Sequence, residues 1–337
     1  MREAFLYQKK ENNIVECQLC NHFCEIKDGS LGICRVRKNE KGVLYSLNYG
    51  ELVARNIDPI EKKPFFHFLP SSWAYSIASL GCNFKCVFCQ NWEISQKEEA
   101  DELGIRGKKF TPYQIVEEAL EYKCRSISYT YTEPTVFFEF AYECAKLAKK
   151  RGLYNNFVTN GFMSKEAIEL ISPYLDAANI DLKAFSEEFY KKYCKASLAP
   201  VLENIKLMKE KGIWIEVTTL IIPGLNDSEE ELKKIASFLA SISCDIPWHV
   251  NRFHPDYRFY ESQATSLSTL EKAYEIGKKQ GLKYIYIGNI YTEYGENTYC
   301  PECGKLLIKR VGFSVEENKI YKGRCKFCNT KIEGFWD

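Results

Sequence analysis

The sequence is short of charge imbalance, of histidine and methionine, and of long apolar runs. Its 46 Lys and Arg stand against 45 Asp and Glu, a net charge of +1. Such a balance lacks the basic footprint of nucleic-acid binding, so nucleic acid is not an expected partner. No apolar run approaches the roughly 18–20 residues that cross a bilayer, so no membrane span is expected. The opening residues 1–10 carry no apolar block followed by a small-residue cleavage site, and a cytoplasmic location is the resulting expectation. What is abundant is cysteine, with 15 in 337 residues. In a small exported domain these would be disulfides. Here eleven fall into three clusters with metal-ligand spacing, which favours reduced thiolates on metal. Cys124, Cys144, Cys194 and Cys244 stand singly in apolar surroundings and read as buried small hydrophobes. The length allows one catalytic barrel of about 200–250 residues with small accessory modules.

The central cluster is Cys82-x3-Cys86-x2-Cys89, directly after an apolar run. A cluster that only passes electrons takes four thiolates, whereas three on one tight loop leave one iron of a 4Fe-4S cube open to a small chelating molecule. A zinc knuckle with a distant fourth ligand is the bland alternative. The first cluster, Cys17-x2-Cys20-x3-Cys24-x9-Cys34, suits a structural zinc or a second iron–sulfur cluster, and thiolate count cannot separate the two. The last, Cys300-x2-Cys303 and Cys325-x2-Cys328, reads as a zinc ribbon: two knuckles closing one tetrahedral site. Several Lys and Arg make this tail locally basic, as a solvated face would be.

Between residues 73 and 290 strand-like and helix-like segments alternate. Strands are expected over 74–80, 125–130, 154–159, 178–182, 213–220, 248–253 and 283–287. Helices are expected over 111–123, 134–151, from 164, over 186–193, 199–211, 228–241 and 268–280, with 96–109 a charged mobile connection and 58–70 an ordered, non-helical linker. Alternation of this kind calls for a parallel sheet covered by helices, with functional residues at the carboxyl ends of the strands. Three parts follow: a Cys-rich segment 1–70, a barrel 71–290 and a ribbon module 291–337.

CxxxCxxC, with the aromatic Phe88 before its third cysteine, resembles the signature of the radical S-adenosylmethionine (SAM) superfamily. The polar residues at successive strand ends are similar to those of activating enzymes for glycyl radical enzymes. Tyr131-Thr132-Glu133-Pro134 stands where that family has Gly-Gly-Glu. Thr159-Asn160-Gly161, Asp181-Leu182-Lys183, Glu216-Val217-Thr218, His249-Val250-Asn251-Arg252-Phe253-His254 and Gly288-Asn289 follow in order. The whole chain also resembles the radical SAM member of the AmmeMemoRadiSam system. The resemblance implies a partial (β/α)6-type TIM barrel in which Cys82, Cys86 and Cys89 hold the cluster. Phe88, Asn91, Thr132, Glu133, Thr159, Asn160, Asp181, Lys183, Glu216, Thr218, His249, Asn251 and Asn289 would surround SAM, with Arg252 and His254 on the substrate side. It further implies an electron donor such as flavodoxin or ferredoxin, companion proteins of the same system, and a small-molecule substrate such as a pyrimidine-type ring. Installing a glycyl radical on a protein is one rival; a zinc-ribbon RNA-binding or scaffold protein is another. No ferredoxin-like insert follows the cluster loop, as it often does in the activases.

Overall fold

The computed structural model describes residues 1–336. Seven parallel strands run in sequence order across its central sheet: β1 (Trp73–Ser79), β2 (Ser126–Tyr129), β3 (Tyr154–Thr159), β4 (Ala177–Asp181), β5 (Trp214–Ile221), β6 (Trp248–Arg252) and β7 (Ile285–Gly288). Between them lie α1 (Pro112–Glu121), α2 (Phe138–Lys150), α3 (Lys165–Ile171), α4 (Ala199–Glu210), α5 (Glu229–Ile242) and α6 (Leu267–Lys279). The strands are buried along most of their length, as parallel strands under a helical layer must be. On the β1 side the sheet continues through the antiparallel strands Glu51–Pro59 and Lys108–Lys109, and it does not close. The barrel is therefore partial. No helix among the described residues is long and apolar enough to cross a membrane.

Local chemistry sets the helix starts. The Thr111 hydroxyl accepts from the Gln114 N–H, and Gln114 Oε1 accepts from the Thr111 N–H, a reciprocal cap with Pro112 in the first turn. Ser164, Ser228 and Ser266 cap α3, α5 and α6 in the simpler way. Four segments depart from expectation: the linker 58–70 opens with the end of the strand Glu51–Pro59 and a 3-10 turn, Ile60–Lys62. Residues 134–151 divide into a 3-10 turn, Pro134–Phe137, and α2. Residues 186–193 form one α-turn, Glu187–Phe189, followed by a π-turn, Tyr190–Cys194. The connection 96–109 contains the helix Lys97–Glu102 and is pinned: Glu99 accepts from Tyr257 Oη and pairs with Arg258, while Glu98 pairs with Arg35 and Lys85. Its charges neutralise partners on neighbouring loops rather than solvating a mobile segment.

The leading segment has no core of its own. Val15, Val36 and Leu44 are fully buried in the same apolar cluster as Ile77 and Ile127 of the sheet. A buried ion pair ties it to α2, with Arg37 Nη2 donating to both Glu139 oxygens at 2.7 and 2.8 Å.

The amino-terminal end of the sheet is closed by the linker and the tail. Glu216, at 0 % exposure, accepts the backbone N–H groups of Phe66 and His67 and sits 2.7 Å from His249 Nε2. Arg310 of the tail hairpin donates to the carbonyls of Phe66 and Glu296 and lies 4.3 Å over the Phe66 ring. His67 shares a 2.6 Å contact with Tyr286 Oη. Burial holds its imidazole near a pKa of about 4. Because the unfolded chain takes up this proton below about 6.5, stability present at pH 8 is lost as the pH falls from there toward 4. At pH 5.5 this group is expected to remove about 1.4 kcal/mol. Urea midpoints of wild type and His67→Phe at pH 8 and 5.5 check this. A pH dependence equal in the two proteins would contradict it.

Candidate active site

Above that floor, at the carboxyl ends of β1–β7, lies a cavity of about 470 Å³. The loop carrying Cys82, Cys86 and Cys89 leaves β1 through Gly81, whose φ of +106° favours glycine and whose missing Cβ would meet Val36 Cγ1 at 2.9 Å. Two backbone bonds fasten the loop to the π-turn, from Lys85 N–H to the Cys194 carbonyl (2.9 Å) and from Val87 N–H to the Tyr193 carbonyl (3.1 Å). Phe88 anchors it against Phe189 and Phe259. All three thiols line the cavity.

Polar groups already face these sulfurs. Cys82 Sγ accepts from the Phe84 N–H at 3.3 Å and from Asn160 Nδ2 at 3.8 Å, and Cys89 Sγ lies 3.1 Å from Ser95 Oγ. Burial pushes the Cys82 and Cys89 thiols up; for Cys86 a hydrogen bond with Cys194, then burial, does the same. Such sulfurs are held protonated until a metal displaces the proton, so loading the site releases protons. Cys194, a mere core residue by sequence, thus touches the loop. The three thiols do not meet as closely as ligands of one ion. Among the described residues, the group whose ligand atoms all lie within 4.8 Å of one another is Cys300, Cys303, Cys325 and Cys328. Spread thiols beside an open cavity fit a cube better than a single ion.

The strand ends supply the rest of the wall. Glu133 is 2 % exposed; its Oε1 accepts from Thr135 N–H, Thr135 Oγ1 and Thr159 Oγ1, and its Oε2 from the Asn160 N–H at 2.8 Å. Burial raises its pKa and these donors oppose the rise. Tyr131, where the resembled motif has glycine, adopts φ +63°. That left-handed backbone is uncommon for a bulky residue. It is pinned by its hydroxyl, which donates to Asp58 and accepts from Lys63 Nζ at 3.2 Å. Lys183 Nζ stands 2.9 Å from Asp181 Oδ2 on the same wall. Burial alone would lower the Lys183 pKa, but the Asp181 carboxylate reverses the sign, so the ammonium is kept charged. Gly288 lets Asn251 reach the cavity, since a Cβ there would lie 2.3 Å from Asn251 Oδ1.

Of the residues expected around a cofactor, Phe88, Asn91, Thr132, Glu133, Thr159, Asn160, Asp181, Lys183, Thr218, Asn251 and Asn289 line this one cavity. Two of those expected around the cofactor, Glu216 and His249, and the two expected on the substrate side, Arg252 and His254, do not. Glu216 and His249 share the strand faces of Thr218 and Asn251 but lie two residues nearer the strand starts, in the floor network. Arg252 falls on the opposite face and donates to the Thr265 carbonyl. His254 is exposed beyond the end of β6. The wall also includes Lys62, Lys63 and Pro64 of the linker and Phe313 at the tip of the tail hairpin. No local sequence signal marked these, because long-range packing brings them there.

The other thiol sets differ from each other. In the tail, Cys300 Sγ lies 3.6 Å from Cys328 Sγ and Cys303 Sγ lies 3.8 Å from Cys325 Sγ. Four thiolates about 2.3 Å from one zinc at tetrahedral angles would stand roughly 3.8 Å apart, so these could hold a single metal ion. Cys17, Cys20, Cys24 and Cys34 instead line one apolar cavity, and no three of their sulfurs lie within 4.8 Å of one another.

A family model described as the Radical SAM superfamily matches residues 76–239. An uncharacterized protein of Methanocaldococcus jannaschii is 47% identical over 336 residues, 99% of either chain. The pyruvate formate-lyase-activating enzyme of Clostridium pasteurianum is 23% identical over 200 residues, covering 55% of this chain and 81% of that one. Among solved structures, Streptococcus suis SuiB bound to S-adenosylmethionine superposes with a TM-score of 0.52 at 15% identity over 72% of this chain and 56% of that one, a likeness of fold.

Proposed function

Since the chain belongs to the radical SAM superfamily and is a radical SAM enzyme, we propose that its cavity binds a 4Fe-4S cluster through Cys82, Cys86 and Cys89 and SAM through the surrounding strand ends. The observation that carries the reading is convergence: three thiols and eleven strand-end and loop residues face one space. When bound, the cluster supplies the electron that splits the SAM sulfonium into methionine and a 5′-deoxyadenosyl radical. The protein positions and excludes water. Glu133 would accept from the SAM amino group, a charge-assisted bond in a dry site. Lys183, held charged by Asp181, would face the carboxylate or ribose. Thr218, Asn251 and Asn289 would line the nucleoside end.

Three parts are proposed to divide the work: residues 1–70, 71–290 and 291–337. The substrate is proposed to be small. Lys62, Lys63 and Phe313 line the same cavity as the strand-end residues, and a small molecule beside the cofactor is the reading we favour over glycyl radical installation on a protein. Within the AmmeMemoRadiSam resemblance a pyrimidine-type ring is one candidate. A low-potential flavodoxin or ferredoxin would supply electrons, companion proteins would hand over substrate, the ribbon would hold zinc, and the enzyme would work in the cytoplasm.

Two measurements bear on this. Anaerobically reconstituted, reduced protein is expected to convert SAM to methionine and 5′-deoxyadenosine, and no turnover with a full iron complement would contradict the reading. Glu133→Gln replaces a charge partner and sets an amide donor against donors already in place. It is expected to weaken SAM binding about 10- to 100-fold with iron content unchanged. Equilibrium dialysis with labelled SAM checks it; equal affinity would remove Glu133 from the site.

A further inference from the structure

We propose that Cys17, Cys20, Cys24 and Cys34 hold a second 4Fe-4S cluster, which passes electrons through the Asn83 segment to the cluster on Cys82, Cys86 and Cys89. Three observations support it. The four thiols line one apolar cavity together with Arg37 and Asn83, yet they stand outside the 4.8 Å grouping that the tail thiols satisfy. A tetrahedral zinc would draw the sulfurs to roughly 3.8 Å of one another, whereas the corners of an iron–sulfur cube hold cysteine sulfurs roughly 6 Å apart.

The second observation is a set of buried donors without acceptors. Arg37 is 2 % exposed and Asn83 1 %. Arg37 spends Nη2 on Glu139, but its Nε and Nη1, and Nδ2 of Asn83, have no hydrogen-bond partner. Buried N–H groups left so are costly and rare. Sulfides and thiolates of an anionic cube at this wall are the acceptors they lack, and such bonds set the potential of a cluster.

The third is position. His22 Nε2 contacts the Asn83 carbonyl at 2.8 Å, and Asn83 follows Cys82 directly in the chain. Asn83 Oδ1 accepts from Asn160 Nδ2, which also donates to Cys82 Sγ. Asn83 thus lines the outer cavity and is bonded to Asn160, which lines the inner one. Cys20 and Cys24 are partly exposed, so the outer cage lies near the surface. A one-electron donor protein of low potential would reduce the outer cluster and be oxidised by one electron. That electron would move inward, with no bond made or broken at either cage.

The relay rests on the reading of the inner site; the metal assignment does not. Iron, sulfide and zinc are to be counted, with Mössbauer spectra, on full-length anaerobically reconstituted wild type, on a Cys82→Ser/Cys86→Ser/Cys89→Ser variant and on a Cys17→Ser/Cys20→Ser variant. The expected counts are about eight irons in wild type and about four in the first variant, with one zinc throughout. The Cys17→Ser/Cys20→Ser variant, if it folds, should hold about four. Four irons and two zincs in wild type, with none of the iron left in the first variant, would overturn the second cluster while leaving the inner one standing. Four irons that persist in the first variant would sink the inner site alone. Given eight irons in wild type, loss of donor-supported but not dithionite-supported SAM cleavage in the Cys17→Ser/Cys20→Ser variant is the outcome expected of a relay. Equal loss of both would overturn it.

Discussion

Serine at Cys82, Cys86 or Cys89, one at a time, is expected to abolish 5′-deoxyadenosine formation, a fall of at least a thousandfold. The reason is that these are the three thiols on the cavity wall. Serine keeps the shape but not the soft anionic donor that iron requires. The loop itself should survive, because its backbone bonds to Tyr193 and Cys194 and the packing of Phe84 and Phe88 do not use the sulfurs. Circular dichroism and unfolding midpoints near wild type, beside lost turnover, are therefore the expected pair of results. Turnover within tenfold of wild type in any of the three would place the reaction elsewhere.

The second large effect concerns the tail. If the four tail thiols hold a metal, Cys303→Ser or a chelator is expected to unfold the tail from about residue 291 and lower the melting midpoint of the whole protein by about 10 °C. The tail core is small: Leu307, Ile308, Ile332 and a few aromatic rings. A module of that size depends on a metal staple. Its loss also reaches the barrel, since Arg310 would leave the Phe66 carbonyl and Phe313 the cavity wall. Limited proteolysis gives the check. New cleavage after about residue 290, with one equivalent of metal lost, is expected, and an uncut tail with an unchanged midpoint would contradict the account.

Much of this architecture could be read from residues alone. The alternation of strand and helix, the Thr111–Gln114 cap and CxxxCxxC are local signals, and local signals survive without coordinates. The depth of a residue along its strand is not local. Alternation by two places Glu216 with Thr218 and His249 with Asn251 on one face, but whether a side chain meets the cavity or the floor depends on where the linker and tail close the sheet. Phe66 and His67 took Glu216, and so the expected SAM ligand became a structural anchor. Phe313 and Lys63 were illegible for the converse reason: their place on the wall comes from packing between distant stretches of chain, Lys63 reaching Tyr131 across 68 residues. The left-handed Tyr131 hid behind a missing glycine. Its strain is met by a hydroxyl held between Asp58 and Lys63, partners on a segment that reads as a linker.

The central claim is a 4Fe-4S cluster that Cys82, Cys86 and Cys89 would hold by three irons, leaving the fourth without a protein ligand and open to the amino and carboxylate groups of SAM. Electron–nuclear double resonance of the reduced protein with SAM carrying ¹⁵N and ¹⁷O in its methionine moiety tests it most directly. The account predicts resolved couplings from both labels, lost together in Cys86→Ser. A reduced cluster whose spectrum is the same with and without labelled SAM would contradict it.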